Sequence, residues 1–311
     1  MCSMAAVAAK HPEGDFHIIG HSTGGLDARL LLMPGVELEQ GGELEPLAAR
    51  VRSLVSVSTP HLGTPLADFF DGMMGKKLLK LLSVLTMHGI RLGSIPIPAL
   101  VALAEMMPGA DFLIKGSIVD QIYRDLLRDF DEERQEQISH FFEDVASDQT
   151  LLTQLTPAAM DLFHASTAER PGVRYGCVIS RARTPRLFGH LRVGLSPTNH
   201  AMYGLFDVLH HMGEAPSLRH RPLEEAQRQQ LIMAYGELPD HEDNDAIVPT
   251  LSQVHGEVVD AAWGDHLDLI GHFNDLDAEP PHIDWLKTLS NFDRPRFLEV
   301  WGNVLDFSLR S

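Results

Sequence analysis

The sequence FHIIGHSTGG at residues 16–25 decides the fold of this chain. It predicts a buried strand over 16–20, a sharp turn at Ser22, and a helix over 24–32. Such a turn requires strained backbone angles at the serine. Gly20 and Gly24 are expected to leave room where a side chain would collide with the neighbouring strand or helix. This pattern is a nucleophile elbow, which exposes the serine hydroxyl and places it at the positive end of the helix dipole.

A GxSxG pattern is weak evidence by itself, because glycine and serine are common residues. The apolar strand before it and the amphipathic helix after it are the context that supports a nucleophile. The alternative is a tight turn in which Ser22 only caps the helix.

The composition of the 311-residue chain, with 44% hydrophobic and 22% charged residues, predicts one large globular domain. No apolar run is long enough to cross a bilayer. The formal net charge of -18 argues against a nucleic-acid partner, which would require clustered lysines and arginines. Many of the acidic residues lie between Asp125 and Asp148, where we expect the solvated side of helices.

Two cysteines, Cys2 and Cys177, are too few for a disulfide framework, so we expect free thiols. Residues 1–10 lack the basic and then apolar segments of a secretory signal. The location stays open: cytoplasmic as the sequence is written, and secreted if the true N-terminus lies further upstream.

Downstream of the elbow, apolar and β-branched runs alternate with helical patterns, which predicts a parallel sheet with right-handed crossovers. A Thr-Pro pair at 156–157 marks a helix start. The predicted strands are Val51–Ser58, Val173–Ser180 and Glu257–Trp263. One helix is predicted to begin near Leu66, and three more are predicted at Pro157–Phe163, Met202–His211 and Leu223–Tyr235.

Residues 76–150 are helical in pattern and very apolar in their first half, which predicts a helical insertion within a single domain over 1–311. The insertion is either a lid or an ordinary helical cap packed on the core.

An acid and a histidine follow in the C-terminal part. The sequence NDAIVP at 244–249 places Asp245 in a turn after the third predicted strand, and GDHLD at 264–268 places His266 just past the last one. Serine, then acid, then histidine is the triad order of α/β-hydrolases. The alternatives to Asp245 are Asp240, Glu242 and Asp243, and the alternatives to His266 are His272 and His255.

Five motifs together resemble the bacterial true lipases and esterases of the α/β-hydrolase fold. They are IIGHSTGGLDAR at 18–29, VSTPHLGTPLADF at 57–69, LLTQLTPAAMDLF at 151–163, NDAIVP at 244–249 and GDHLD at 264–268.

The resemblance implies a mostly parallel sheet flanked by helices, with Ser22 as nucleophile, Asp245 as acid and His266 as base. It also implies an oxyanion donor at the backbone N–H of Thr23 and carboxylic esters, of acylglycerol or another lipid type, as substrates. The insertion at 76–150 would then be a lid that contacts a lipid surface.

No cofactor is required by this chemistry, but several such lipases hold a structural calcium ion. Asp268, two residues after His266, matches one of its ligands. His272 stands where an amide side chain is expected, which argues against calcium. The histidines raise the alternative of zinc, for which no tight ligand spacing is present.

The chain departs from the resembling enzymes upstream of the elbow, where only residues 1–15 stand in place of about four strands and a histidine-glycine oxyanion loop. We therefore expect an N-terminally truncated sheet, with an open edge at residues 16–20 that is able to pair with another chain. Two hypotheses follow: a serine ester hydrolase, or a catalytically incomplete remnant that binds a partner. Within the enzyme class, a thioesterase or an acyltransferase would use the same triad.

Overall fold

A computed structural model describes residues 2–35, 44–67, 154–186, 189–216 and 222–310, the last range with gaps at 276, 279–281, 283 and 285. It also describes a few isolated residues between 128 and 140. Apart from those isolated residues, the predicted lid or cap at 76–150 and the acidic stretch Asp125–Asp148 lie outside the described residues. Those two interpretations therefore stay predictions.

The described core is a parallel sheet of four strands in the spatial order β1-β2-β3-β4. The parallel α/β architecture predicted from the sequence is confirmed. The strands are β1 (Phe16–His21), β2 (Val51–Val57), β3 (Arg174–Arg181) and β4 (Glu257–Trp263).

Seven helices accompany the sheet in the described part of the chain. The predicted helices at the elbow, after Thr156 and in the 202–235 region are confirmed, with slightly different ends. The helices are α1 (Cys2–Lys10), α2 (Thr23–Leu32), α3 (Leu44–Ala48), α4 (Pro157–Ser166), α5 (Pro197–Met212), α6 (Glu225–Tyr235) and α7 (Arg294–Leu309).

Helices cover both faces of the sheet. Alternate residues of each strand point to opposite faces, so each strand packs against helices on both sides. On one face, Leu54 packs with α2, and Cys177 and Ile179 pack with α6. On the other face, Val55 and Val178 pack with α7. Burial on both faces explains why β2 and β3 are almost continuously buried rather than alternating.

Cys177 is a free thiol at the centre of this core, as the sequence predicted. It is fully buried, and the cost of placing a charge there raises the pKa of the thiol to about 12. Such a thiol is inert at neutral pH.

β1 is the outermost strand of the described sheet and pairs only with β2. An apolar groove of about 650 Å³ runs along it between α1 and α2, and Ile19 is 38% exposed there. In the described sheet β1 is thus an edge strand, and its pairing with another chain stays a prediction. No helix among the described residues is long and apolar enough to span a membrane.

Candidate active site

Ser22 forms the turn between β1 and α2, with φ 55° and ψ -130°. Positive φ is rare for a non-glycine residue and marks stored strain, which clusters at functional sites. The turn is held by the Ser22 N–H, which donates to the Val57 carbonyl at 2.9 Å. Ser22 occupies the N-cap position of α2, yet its side chain makes no capping hydrogen bond. The interpretation of Ser22 as a simple helix cap is therefore wrong.

Gly20 and Gly25, rather than the expected pair Gly20 and Gly24, are the glycines that allow close packing around the serine turn. A Cβ at Gly20 would lie 2.5 Å from the Gly24 carbonyl oxygen, so no side chain fits there. A Cβ at Gly24 would meet open space, which corrects the expectation for that residue. The second close contact is at Gly25, where a Cβ would lie 2.2 Å from Thr59 Oγ1. In α2, Gly25 rather than Gly24 therefore packs closely against Thr59, in the segment that follows β2.

Asp245 is completely buried in the loop before β4. Its Oδ1 accepts from the backbone N–H groups of Ile247 at 3.0 Å and Val248 at 2.7 Å. Its Oδ2 accepts from Ser180 Oγ at 2.7 Å and Gln253 Nε2 at 3.2 Å. These four donors hold the carboxylate in a single orientation.

His266 completes this pair, with Nδ1 2.9 Å from Asp245 Oδ2. The His266 backbone N–H also donates to the Asp245 carbonyl at 3.0 Å, so two hydrogen bonds fix one loop on the other. Because Nδ1 faces the carboxylate, Nε2 is the nitrogen left for acid-base chemistry.

The alternative acids and bases lie elsewhere. Asp243 pairs with Arg181 at 2.6 Å, and Asp240 and Glu242 are exposed. The ring of His272 contacts His282, with the two nitrogens 2.9 Å apart. His255 stacks against His61 instead.

His21 links the serine to the histidine loop. Its Nε2 donates to the His266 carbonyl oxygen at 2.8 Å, and the two rings are 4.6 Å apart. Burial and the neighbouring imidazole of His266 lower the pKa of His21 to about 4, so it is neutral at pH 7. Because Ser22 is the next residue, the turn carrying the serine is anchored directly to the loop carrying His266.

Sequence reasoning missed the polar residues that support Asp245 from β3 and from the turn Thr250–Gln253. Gln253 Oε1 accepts from the Ser180 N–H at 2.8 Å, while its Nε2 donates to the Ser180 carbonyl at 3.0 Å. These two contacts fix the Gln253 side-chain amide in the orientation in which its Nε2 also donates to Asp245. No local sequence signal marks these residues, since their contact depends on the pairing of β3 with the loop after α6.

A polar cluster also supports the elbow from behind. Arg29 of α2 is buried, and its guanidinium lies within hydrogen-bonding distance of His61 Nδ1 (3.2 Å) and His164 Nδ1 (3.4 Å). His61 follows β2 and His164 lies on α4, so one arginine connects three segments around the serine turn.

Thr23 is the first residue of α2, and its backbone N–H belongs to the unpaired first turn of that helix. Beside it, an apolar cavity of about 320 Å³ lies between α2 and α4, with Leu26, Met160 and Phe163 in its wall. Its volume and lining suit an apolar group, and Thr23, the residue after Ser22, lies in its wall.

Three aspartates form a second cluster next to His266. Asp265, Asp268 and Asp284 are buried, with oxygens within 4.8 Å of one another. Burial raises the pKa of Asp265 to about 7, and burial together with the charges of Asp265 and Asp284 raises that of Asp268 well above its usual range. Asp265 Oδ2 has no hydrogen-bond partner among the described residues. Asp284 was not foreseen from the sequence, and His272 is not part of the cluster.

The described residues combine a parallel sheet with a serine elbow at the carboxyl end of β1. An acid and a histidine lie in loops of the later part of the same sheet. The described part of the chain has the α/β-hydrolase fold. No family model and no curated protein matches this chain at the sequence level.

Among solved structures, it is similar to EstA from Clostridium botulinum, with 20% identity over 83% of this chain and 61% of that one and a TM-score of 0.41. It is also similar to the Staphylococcus hyicus lipase (16% identity, 94% and 69% coverage, TM-score 0.43) and to lipase 1 from Pelosinus fermentans (16%, 96% and 72%, TM-score 0.43). The chain thus spans about three fifths of the length of EstA.

Proposed function

We propose that this protein is a serine hydrolase of carboxylic esters. The observation that carries the proposal is the strained turn at Ser22, which His21 ties to the loop of His266, together with the 2.9 Å contact between His266 Nδ1 and the buried Asp245. These are the nucleophile, base and orienting acid of acyl-transfer catalysis.

In the proposed mechanism, His266 Nε2 takes the Ser22 proton as the hydroxyl attacks the ester carbonyl. Asp245 holds the tautomer with the proton on Nδ1 and stabilises the imidazolium that forms. The backbone N–H of Thr23, at the N-terminus of α2, donates to the oxyanion. His266 then protonates the leaving alcohol, and water releases the acid from the acyl-enzyme by the same steps in reverse.

The apolar cavity between α2 and α4 supports a substrate with an apolar acyl group. Lipid esters, including acylglycerols, are the substrate class we infer from it. A thioesterase or an acyltransferase would use the same groups, so a panel of p-nitrophenyl esters and acyl thioesters distinguishes these reactions.

A calcium ion is the metal that suits the aspartate cluster, because all three ligands offer hard oxygen atoms and Asp265 Oδ2 has no hydrogen-bond partner in the described part of the chain. Asp265, Asp268 and Asp284 would hold it. The ion would neutralise the mutual repulsion of the carboxylates and fix the loop that carries His266. The proposed chemistry at Ser22 does not pass through it.

The competing hypothesis is a chain that retains these residues without catalysis and binds a partner at the open edge of β1. Active-site labelling decides between the two. The purified protein is treated with a fluorophosphonate probe beside Ser22→Ala and the matched control Ser166→Ala, whose serine is exposed on α4. We expect labelling of wild type and Ser166→Ala at Ser22 alone, located by mass spectrometry. A folded wild-type protein that remains unlabelled would support the non-catalytic chain.

A further inference from the structure

A cavity of about 560 Å³ opens where β3 and β4 end, and four arginines line it. The chain as a whole carries a formal charge of -18, so this clustering of positive charge runs against its average. The acidic group in the described lining is Glu237, which pairs with one of the arginines at 3.0 Å. The four are Arg181, Arg183, Arg186 and Arg192.

Arg181 is the buried member, with 6% of its side chain exposed. Its Nη2 pairs with Asp243 at 2.6 Å, and its guanidinium lies 4.9 Å from the centre of the Trp263 ring. Nε and Nη1 are buried without a hydrogen-bond partner among the described residues. A buried donor without an acceptor is costly, and an acceptor brought by a ligand would remove that cost.

The other three arginines are exposed, and none of them forms an ion pair with a described residue. Arg183 packs over Trp263, with its guanidinium carbon 4.6 Å from the ring centre. The cavity therefore combines one fixed guanidinium, one guanidinium stacked on an aromatic ring and two that are free to turn toward a ligand.

We propose that this cavity binds a phosphate group, carried by a soluble phosphate ester or by a lipid headgroup. Guanidinium groups recognise phosphate through paired N–H donors, and a phosphate offers several acceptor oxygens to several arginines at once. The cavity is much larger than a bare phosphate, so an organic remainder fits beside Trp263 and Leu289.

This site is separate from Ser22 but touches the segments that carry the other two triad residues. The Gly264 N–H donates to the Arg181 carbonyl at 3.0 Å, two residues before His266. Asp243, the partner of Arg181, lies two residues before Asp245. A bound phosphate is therefore expected to raise the melting temperature as well.

Titration calorimetry with inorganic phosphate and with glycerol 3-phosphate tests the proposal. The variant is Arg183→Ala/Arg186→Ala, which removes two exposed cavity arginines. Its matched control is Arg228→Ala/Arg310→Ala, which removes two exposed arginines outside the cavity. Circular dichroism and melting temperature establish that both variants are folded.

We expect the wild type and the control to bind glycerol 3-phosphate with equal affinity, and the cavity variant to bind it at least about tenfold more weakly, as for the loss of a charged hydrogen bond. The proposal would be overturned if the cavity variant bound glycerol 3-phosphate as tightly as the wild type does. It would also be overturned if the wild type bound glycerol 3-phosphate no more tightly than chloride.

Sedimentation with phosphatidylcholine vesicles, with and without phosphatidic acid, identifies the source of the phosphate. Arginine-dependent binding to the vesicles with phosphatidic acid assigns a lipid headgroup. Binding of glycerol 3-phosphate without vesicle binding assigns a soluble ester.

Discussion

His21 and His266 are joined by a hydrogen bond from the His21 ring to the His266 carbonyl oxygen, 2.8 Å long. This contact connects the end of β1 to the loop after β4, across the whole width of the described sheet. The serine turn and the histidine loop come from segments more than two hundred residues apart in the chain, and the His21 side chain links them.

We expect His21→Ala to lower kcat by about one to two powers of ten, because a small displacement of His266 from Ser22 is costly for proton transfer. His21→Gln, which retains a donor of similar reach, should recover part of the loss. Steady-state kinetics on a soluble ester measures both variants. Equal kcat for His21→Ala and wild type would contradict a positioning role.

Asp245→Asn should lower kcat by about three to four powers of ten, since the amide no longer favours the tautomer with the proton on Nδ1. Asp243→Asn is the matched control, because this neighbour pairs with Arg181 rather than with His266. Its kcat should stay within about tenfold of wild type. The prediction fails if both variants lose the same amount of activity.

The strands and the elbow were predictable from local pattern, because runs such as 51–57 and 257–263 combine β-branched residues with nearby turn signals. The C-terminal helix α7 was missed, although Asp293 and the proline after Arg294 are a visible helix start. The support of Asp245 by Ser180 and Gln253 could not be predicted, since it depends on the register of β3 with a distant loop.

The aspartate cluster shows the same limit. Asp268 stood out because it stands two residues after His266, the position of a calcium ligand in the resembling lipases. Asp284 follows sixteen residues later, in a segment without a recognisable pattern. Only the path of the loop brings it within 4.8 Å of the others. The calcium site at Asp268 therefore stays a proposal, and Asp284 is the further ligand that the sequence did not indicate.

Calcium should raise the melting temperature of the protein relative to the same sample in EDTA, because it replaces the repulsion among Asp265, Asp268 and Asp284 with coordination. Magnesium should do so less, since it loses its water shell reluctantly. Asp284→Asn should abolish most of the calcium effect, whereas Asp293→Asn, at the exposed start of α7, should retain it. Scanning calorimetry measures the shifts. No difference between calcium and EDTA would contradict the metal site.

His210 provides a test of stability against pH. This residue of α5 is 1% exposed, and neither of its ring nitrogens has a hydrogen-bond partner among the described residues. Burial lowers the pKa of His210 to about 4, helped by the charges of His211 and Arg181 and opposed by Asp245.

Because the folded-state pKa of His210 lies below the ordinary value of 6.5, the unfolded chain takes up a proton between pH 6.5 and 4 that the folded protein does not. The stability due to the neutral ring is thus complete above about pH 6.5 and is lost as the pH falls toward 4, by up to about 3 kcal/mol. His210→Leu removes the titration and should lessen the fall in melting temperature between pH 7.5 and 4.5. His241→Gln, at an exposed histidine that does not contribute to the shift of His210, should leave the wild-type slope unchanged. An equally steep fall in His210→Leu and wild type would show that other groups govern acid unfolding.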